Sequence, residues 1–123
     1  AVADCPYTSA TEEFSEVIKG AGIKNPKPLV KIFNTANKLI AGYDLNDTEV
    51  RGSVLQARAP MLFVHGDNDG LVPTKMGVEL YELCPTEKDM LLVSGAGHAD
   101  SIRVDEAGYH EKLDEFIDKY LGV

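Results

Sequence analysis

Pro60-Met61-Leu62-Phe63-Val64-His65-Gly66-Asp67-Asn68-Asp69-Gly70-Leu71-Val72-Pro73 is the stretch on which the reading of the fold turns. Its first half is an unbroken apolar run bounded by Pro60 and by Gly66-Asp67, the pattern of a short strand covered on both faces and so of a central strand in a parallel sheet. Its second half is dense in Asp, Asn and Gly, which supply turns. Downstream, Met76, Leu80 and Leu83 mark one face of a helix that Thr74 is expected to cap and that closes near Cys84-Pro85. A second apolar strand is predicted over 89–93, followed by the flexible Ser94-Gly95-Ala96-Gly97-His98. A final helix, roughly 106–121, puts Tyr109, Leu113, Phe116, Ile117 and Tyr120 on one side and acids on the other. Strand, helix, strand, helix is the grammar of an α/β fold: a parallel sheet of about three strands flanked by helices.

Upstream the signals are helical. Ser9 with Glu12 three residues on has the capping-box pattern, and Phe14, Val17, Ile18 and Ala21 follow on one face before Gly20 and Gly22 end the helix. Asn25-Pro26-Lys27-Pro28 reads as a stiff connector, after which Leu29, Ile32, Phe33, Ala36, Leu39 and Ile40 mark a second amphipathic helix stopped by Gly42. From Tyr43 to Ala59 the pattern weakens. Asn46 or Asp47 is a candidate cap for a short helix carrying Val50, Val54 and Leu55, and Gly52 counts against it. The chain thus divides into 1–59, a strand end plus a helical segment, and 60–123, a βαβα unit. Ala1-Val2-Ala3, without an initiator Met, reads as the tail of a strand and predicts a fragment or a processed chain.

The 123 residues carry 12 Lys plus Arg against 20 Asp plus Glu, a formal charge of −8, with 44% hydrophobic residues. That is the balance of one globular domain. The excess of acid repels phosphate backbones and anionic lipid, and the basic residues read as dispersed, so neither nucleic acid nor a membrane surface is an expected partner. No apolar run approaches the ~20 residues of a bilayer span, and no signal peptide is visible. Cys5 and Cys84 lack metal-ligand spacing and read as core cysteines. No cofactor or metal is expected: Asp67-Asn68-Asp69-Gly70 mimics part of a calcium loop, but aligning Gly70 to its glycine puts His65 first and Met76 twelfth, neither of which suits a hard cation.

In parallel sheets reactive groups collect in the loops at the carboxyl ends of the strands. Two loops qualify, 65–73 and 95–101, and the 29 residues from Asp69 to His98 are about one βαβ unit, which brings both loops to one end of adjacent strands. The wording of 60–73 resembles the strand and acid-bearing loop of the α/β-hydrolase family, P-x-L-x-x-x-G-x-x-D-x-x-V-P, and Gly95-Ala96-Gly97-His98 resembles the loop carrying its histidine. Residues 1–9 resemble, more weakly, the strand and loop that follow the family's nucleophile helix, and the two helices after them resemble a small cap or lid insertion, so that 1–59 is read as a strand end plus a helical cap-like segment. In the family's order of Ser, acid, His, the resemblance assigns the acid to Asp69, three residues after Gly66, and the base to His98. A carboxylate there fixes the imidazole tautomer and stabilises the imidazolium. Asp67 reads as a turn residue bonding its own loop, His65 as a structural residue closing a strand, and His110 as a surface residue.

The family's G-x-S-x-G elbow is absent: none of Ser9, Ser15, Ser53, Ser94 and Ser101 has that context. The resemblance therefore implies the C-terminal portion of a serine hydrolase acting on esters or amides, supplying Asp69 and His98 toward a serine outside these residues and inactive by itself. Two rivals are a small non-enzymatic binding module and a relative that has lost catalysis. The substrate is not legible, and cytoplasm is the default compartment. An open edge at Ala1 to Asp4 predicts a homo-oligomer.

Overall fold

Leu62, Phe63, Val64 and His65 are each at most 1% exposed, the burial expected of a strand with helices on both faces. They belong to β2 (Met61–Gly66), the middle strand of a three-stranded parallel sheet in the computed structural model, which describes residues 1–122. On one side lies β1 (Val2–Asp4), in register Val2 to Leu62 and Asp4 to Val64. On the other lies β3 (Lys88–Val93), in register Met61 to Lys88 and Gly66 to Val93. The predicted α/β class and strand count hold.

Among the described residues there are six helices: α1 (Ala10–Gly20), α2 (Lys27–Ile40), α3 (Val50–Leu55), α4 (Thr74–Leu83), α5 (Ser101–Val104) and α6 (Glu106–Leu121). Side chains of a strand alternate between faces, and β2 divides its burial accordingly. Phe63 packs with Val54, Leu80 and Cys84 against α3 and α4, while Leu62 and Val64 pack on Phe116 of α6. Each such apolar side chain is worth roughly 1.5–3 kcal/mol when fully buried. None of the described helices is long and apolar enough to cross a membrane.

Several local expectations change. Ser9 Oγ accepts the N–H of Glu12 at 3.3 Å, but the reciprocal half of the capping box is not made. The Glu12 carboxylate instead accepts from Thr8 Oγ1 at 2.5 Å and Arg51 Nη2 at 2.7 Å, because a guanidinium outbids a backbone amide for it. The connector is shorter than expected: Pro26 is the N-cap of α2 and Pro28 lies in its first turn, where a missing N–H costs nothing. Neither Asn46 nor Asp47 caps α3. Asp44 caps the single 3-10 turn Leu45–Asp47, and Glu49 caps α3. Thr74 does not cap α4, since its hydroxyl donates to Gly66 O at 2.7 Å. The short α5 is carried by no periodicity in its four residues.

The charge reading is also corrected locally. Lys19, Lys24, Lys27, Lys31 and Lys38 fall in a stretch, 17–43, that contains no acid. Lys19 pairs with Glu16 and Lys38 with Asp44.

Candidate active site

The parallel register delivers three chain segments to the carboxyl end of the sheet: Cys5 directly after β1, the loop after β2 and the loop after β3. The ladder continues past the strands, with Asp67 N–H bonded to Val93 O and Asn68 N–H to Ala96 O, both at 3.1 Å. Asp67 Oδ1 accepts the N–H of Gly95 at 2.6 Å. Asp67 therefore ties the two loops together rather than bonding its own loop, as the turn reading had it. Gly66 permits this approach, because a Cβ there would sit 2.1 Å from the carbonyl oxygen of Ala96.

Asp69 and His98 meet across these loops. The Asp69 side chain is fully buried, and its Oδ1 accepts the N–H groups of Leu71 and Val72, both at 2.9 Å. Its Oδ2 lies 3.0 Å from His98 Nδ1. Burial by itself raises the Asp69 pKa, but the two backbone N–H groups and the His98 ring outweigh it and hold the carboxyl below the usual carboxylate range. The His98 side chain is 36% exposed, so the ring is gripped from inside and open outward. Such an imidazole can take a proton from a hydroxyl on the solvent side while the carboxylate stabilises the charge that forms.

Two further side chains reach this pair. Cys5 stands at φ 50° and Ala99 at φ 53°, the two non-glycine residues in the left-handed region among the described residues, and they are joined: the Ala99 N–H donates to Cys5 Sγ at 3.3 Å. The loop behind His98 is thus docked on the end of β1 through a sulfur atom. Burial, aided by the neighbouring Asp4 and opposed by the N–H that Ala99 donates, pushes the Cys5 thiol up to about 11. One ligand atom each from Cys5, Asp69 and His98 lie within 4.8 Å of one another, a set a metal ion could use. His65, fully buried at the end of β2, places Nε2 2.9 Å from Val72 O and 3.3 Å from Asp69 Oδ2. His110 is exposed on α6.

The sequence missed Cys5 in this cluster because its partners are 64 and more residues away and a lone cysteine carries no spacing signal. His65 was legible as a strand-closing residue, but not as a neighbour of the acid four residues on.

A family model described as serine hydrolase (FSH1) matches residues 21–99, which include both Asp69 and His98. The chain is 42% identical over 65 residues to the α/β hydrolase domain-containing protein aho-3 of Caenorhabditis elegans, covering 53% of this chain and 19% of that protein. It is 25% identical over 117 residues to the uncharacterized protein YqkD of Bacillus subtilis, covering 95% of this chain and 38% of that protein. The chain thus spans well under half the length of these relatives. The esterase Pf2001 of Pyrococcus furiosus superposes with a TM-score of 0.62 at 19% identity, over 97% of this chain and 43% of the esterase, which speaks for the fold alone. Fold, loop placement and the matched family model converge, and the chain belongs to the serine hydrolase (FSH1) family, within the α/β-hydrolases.

Proposed function

We propose that Asp69 and His98 are the acid and the general base of a Ser-His-Asp triad hydrolysing an ester or amide, and that the nucleophile lies outside these 123 residues. The observation that carries this is the 3.0 Å contact between His98 Nδ1 and Asp69 Oδ2, with the other carboxylate oxygen held by two backbone N–H groups and the ring open outward. His98 Nε2 accepts the serine proton as the hydroxyl attacks the carbonyl carbon, and returns it to the leaving alcohol or amine. Asp69 holds the Nδ1–H tautomer and stabilises the imidazolium between the two transfers.

None of the chain's serines is offered as that nucleophile. Ser101 is fully buried, Ser9 caps α1, Ser15 donates to Thr11 O, and neither Ser53 nor Ser94 stands in a G-x-S-x-G turn. The chain alone should therefore neither label with a serine-directed fluorophosphonate nor turn over a p-nitrophenyl ester above buffer. Stoichiometric labelling of any of the five serines would overturn the half-site reading. In a protein that carries the elbow serine as well, Asp69→Asn should lower kcat by about 10⁴ with KM little changed. A loss below tenfold would remove Asp69 from the triad.

A further inference from the structure

We infer that His65, seated against Gly77, is a positioning residue for Asp69, holding the acid loop from behind so that Oδ2 is presented to His98. The value of this for hydrolysis rests on the triad reading above. The geometry does not.

The alternation of β2 puts His65 on the same face as Phe63, the face covered by α4. There it meets Gly77, where a Cβ would lie 2.3 Å from His65 Nδ1. Any side chain at position 77 would push the ring out of its seat. On its other edge Nε2 lies 2.9 Å from the carbonyl oxygen of Val72, which can only accept, so Nε2 carries the proton. The same nitrogen lies 3.3 Å from Asp69 Oδ2, and the positive end of the N–H dipole therefore sits beside the oxygen that His98 uses. Asp69 is held on three sides: Leu71 and Val72 on Oδ1, His98 and His65 around Oδ2. Because the Val72 carbonyl is bonded to His65 while the Val72 N–H is bonded to Asp69, turning the carboxylate away from His98 strains both contacts together.

Packing alone does not account for this histidine. Nδ1 is buried without a hydrogen-bond partner, a cost that a leucine of similar size would avoid. The offset is the pair of contacts that Nε2 makes with the acid loop. The position thus gives up one unmade hydrogen bond to fix the carboxylate that orients the base.

The test is made on the 123-residue chain with ¹⁵N-labelled histidine. Long-range ¹H–¹⁵N correlations should show His65 protonated on Nε2 and bare on Nδ1. The His98 Nδ1–H, hydrogen-bonded to Asp69, should exchange slowly with water. His65→Gln, whose amide N–H reaches the same place, should preserve that slow exchange. His65→Leu should accelerate it about tenfold, the loss of one hydrogen bond of ~1.4 kcal/mol. A wild-type His65 proton on Nδ1, or unchanged exchange in a folded His65→Leu, would overturn the proposal. If His65→Leu does not fold, the wild-type tautomer and a folded His65→Gln decide it, and rapid exchange in the latter counts against it. Since no turnover is measured, this result and the fluorophosphonate result can fail independently.

Discussion

At the level of single residues, the acid loop places opposite demands on one carboxylate. Burial of Asp69 favours the neutral acid, while the N–H groups of Leu71 and Val72 and the His98 ring favour the anion and prevail. A carboxyl whose folded pKa lies below its unfolded value contributes stability above the unfolded value, about 3.9, and loses it as pH falls through the folded one. Wild type should therefore lose urea stability on acidification over that window. Asp69→Asn should show a flatter profile; an equal slope in both would remove Asp69 as a source of it. Cys5 gives a second reading of the same site. With its thiol pushed up to about 11, the thiolate at neutral pH is about a hundredfold scarcer than in an unfolded chain, and so alkylation of Cys5 by iodoacetamide should slow by at least that factor in the native protein. Site-resolved mass spectrometry can read this, and labelling at the unfolded rate would show that the His98 loop is not docked on β1. That Asp69 and His98 would meet was legible through the family resemblance, which places one three residues after Gly66 and the other directly after Gly97 in loops that follow apolar runs. Cys5 and His65 act through space on elements far along the chain or on the opposite face of a turn, and no local pattern encodes that.

Elements are joined here by side chains whose local reading pointed elsewhere. Glu12 looks like the closing acid of a capping box, but Arg51 captures it. From α3, Arg51 sends Nε to Glu79 of α4 at 2.5 Å, Nη1 to Glu49 at 3.1 Å and Nη2 to Glu12 of α1 at 2.7 Å. The three carboxylates raise the Arg51 pKa further above its ordinary value, the Glu79 contact first. One guanidinium thus fastens three helices. Its side chain is 25% exposed and the three carboxylates 44–48%, so the network is partly solvated, but it joins four charged groups where a surface pair joins two. Arg51→Met should lower the unfolding free energy by about 1–2 kcal/mol, and Arg51→Lys should recover less than half of that, because an ammonium cannot reach three carboxylates with a planar fork. Equal stability of Arg51→Met and wild type in urea would reduce the network to surface decoration. The strands were easier to read than these joints, since burial on both faces writes itself into sequence as a continuous apolar run, whereas a capping residue reads the same whether or not an arginine 39 positions away competes for it.

Across the whole molecule, α2 is placed the opposite way round from most amphipathic helices. Its anchor is Asn34, buried, which donates to Asp44 Oδ1 at 2.7 Å and accepts the Leu45 N–H at 2.8 Å. The apolar face is left largely outward, with Ile32, Leu39 and Ile40 exposed at 66%, 82% and 87% and Leu29 and Phe33 about half exposed, Phe33 with one side against the ring of Phe14 on α1. Periodicity identified the two faces of this helix but not which one meets the body, because a single hydrogen-bonded asparagine decides it. An apolar patch of ~600 Å² is as large as a monomer usually carries. At about 25 cal/mol per Å² its burial is worth on the order of 15 kcal/mol, against association costs of ~4 to 15 kcal/mol. The 123-residue chain should therefore self-associate, and two-fold pairing is the simplest way for one patch to cover itself. The edge strand β1, paired on one side only, offers a second route. Ile32→Lys/Leu39→Lys/Ile40→Lys should return the chain to a monomer by light scattering in the micromolar range if α2 is the interface, and should leave an oligomer if β1 is. A wild-type chain that is monomeric throughout that range would rule out both.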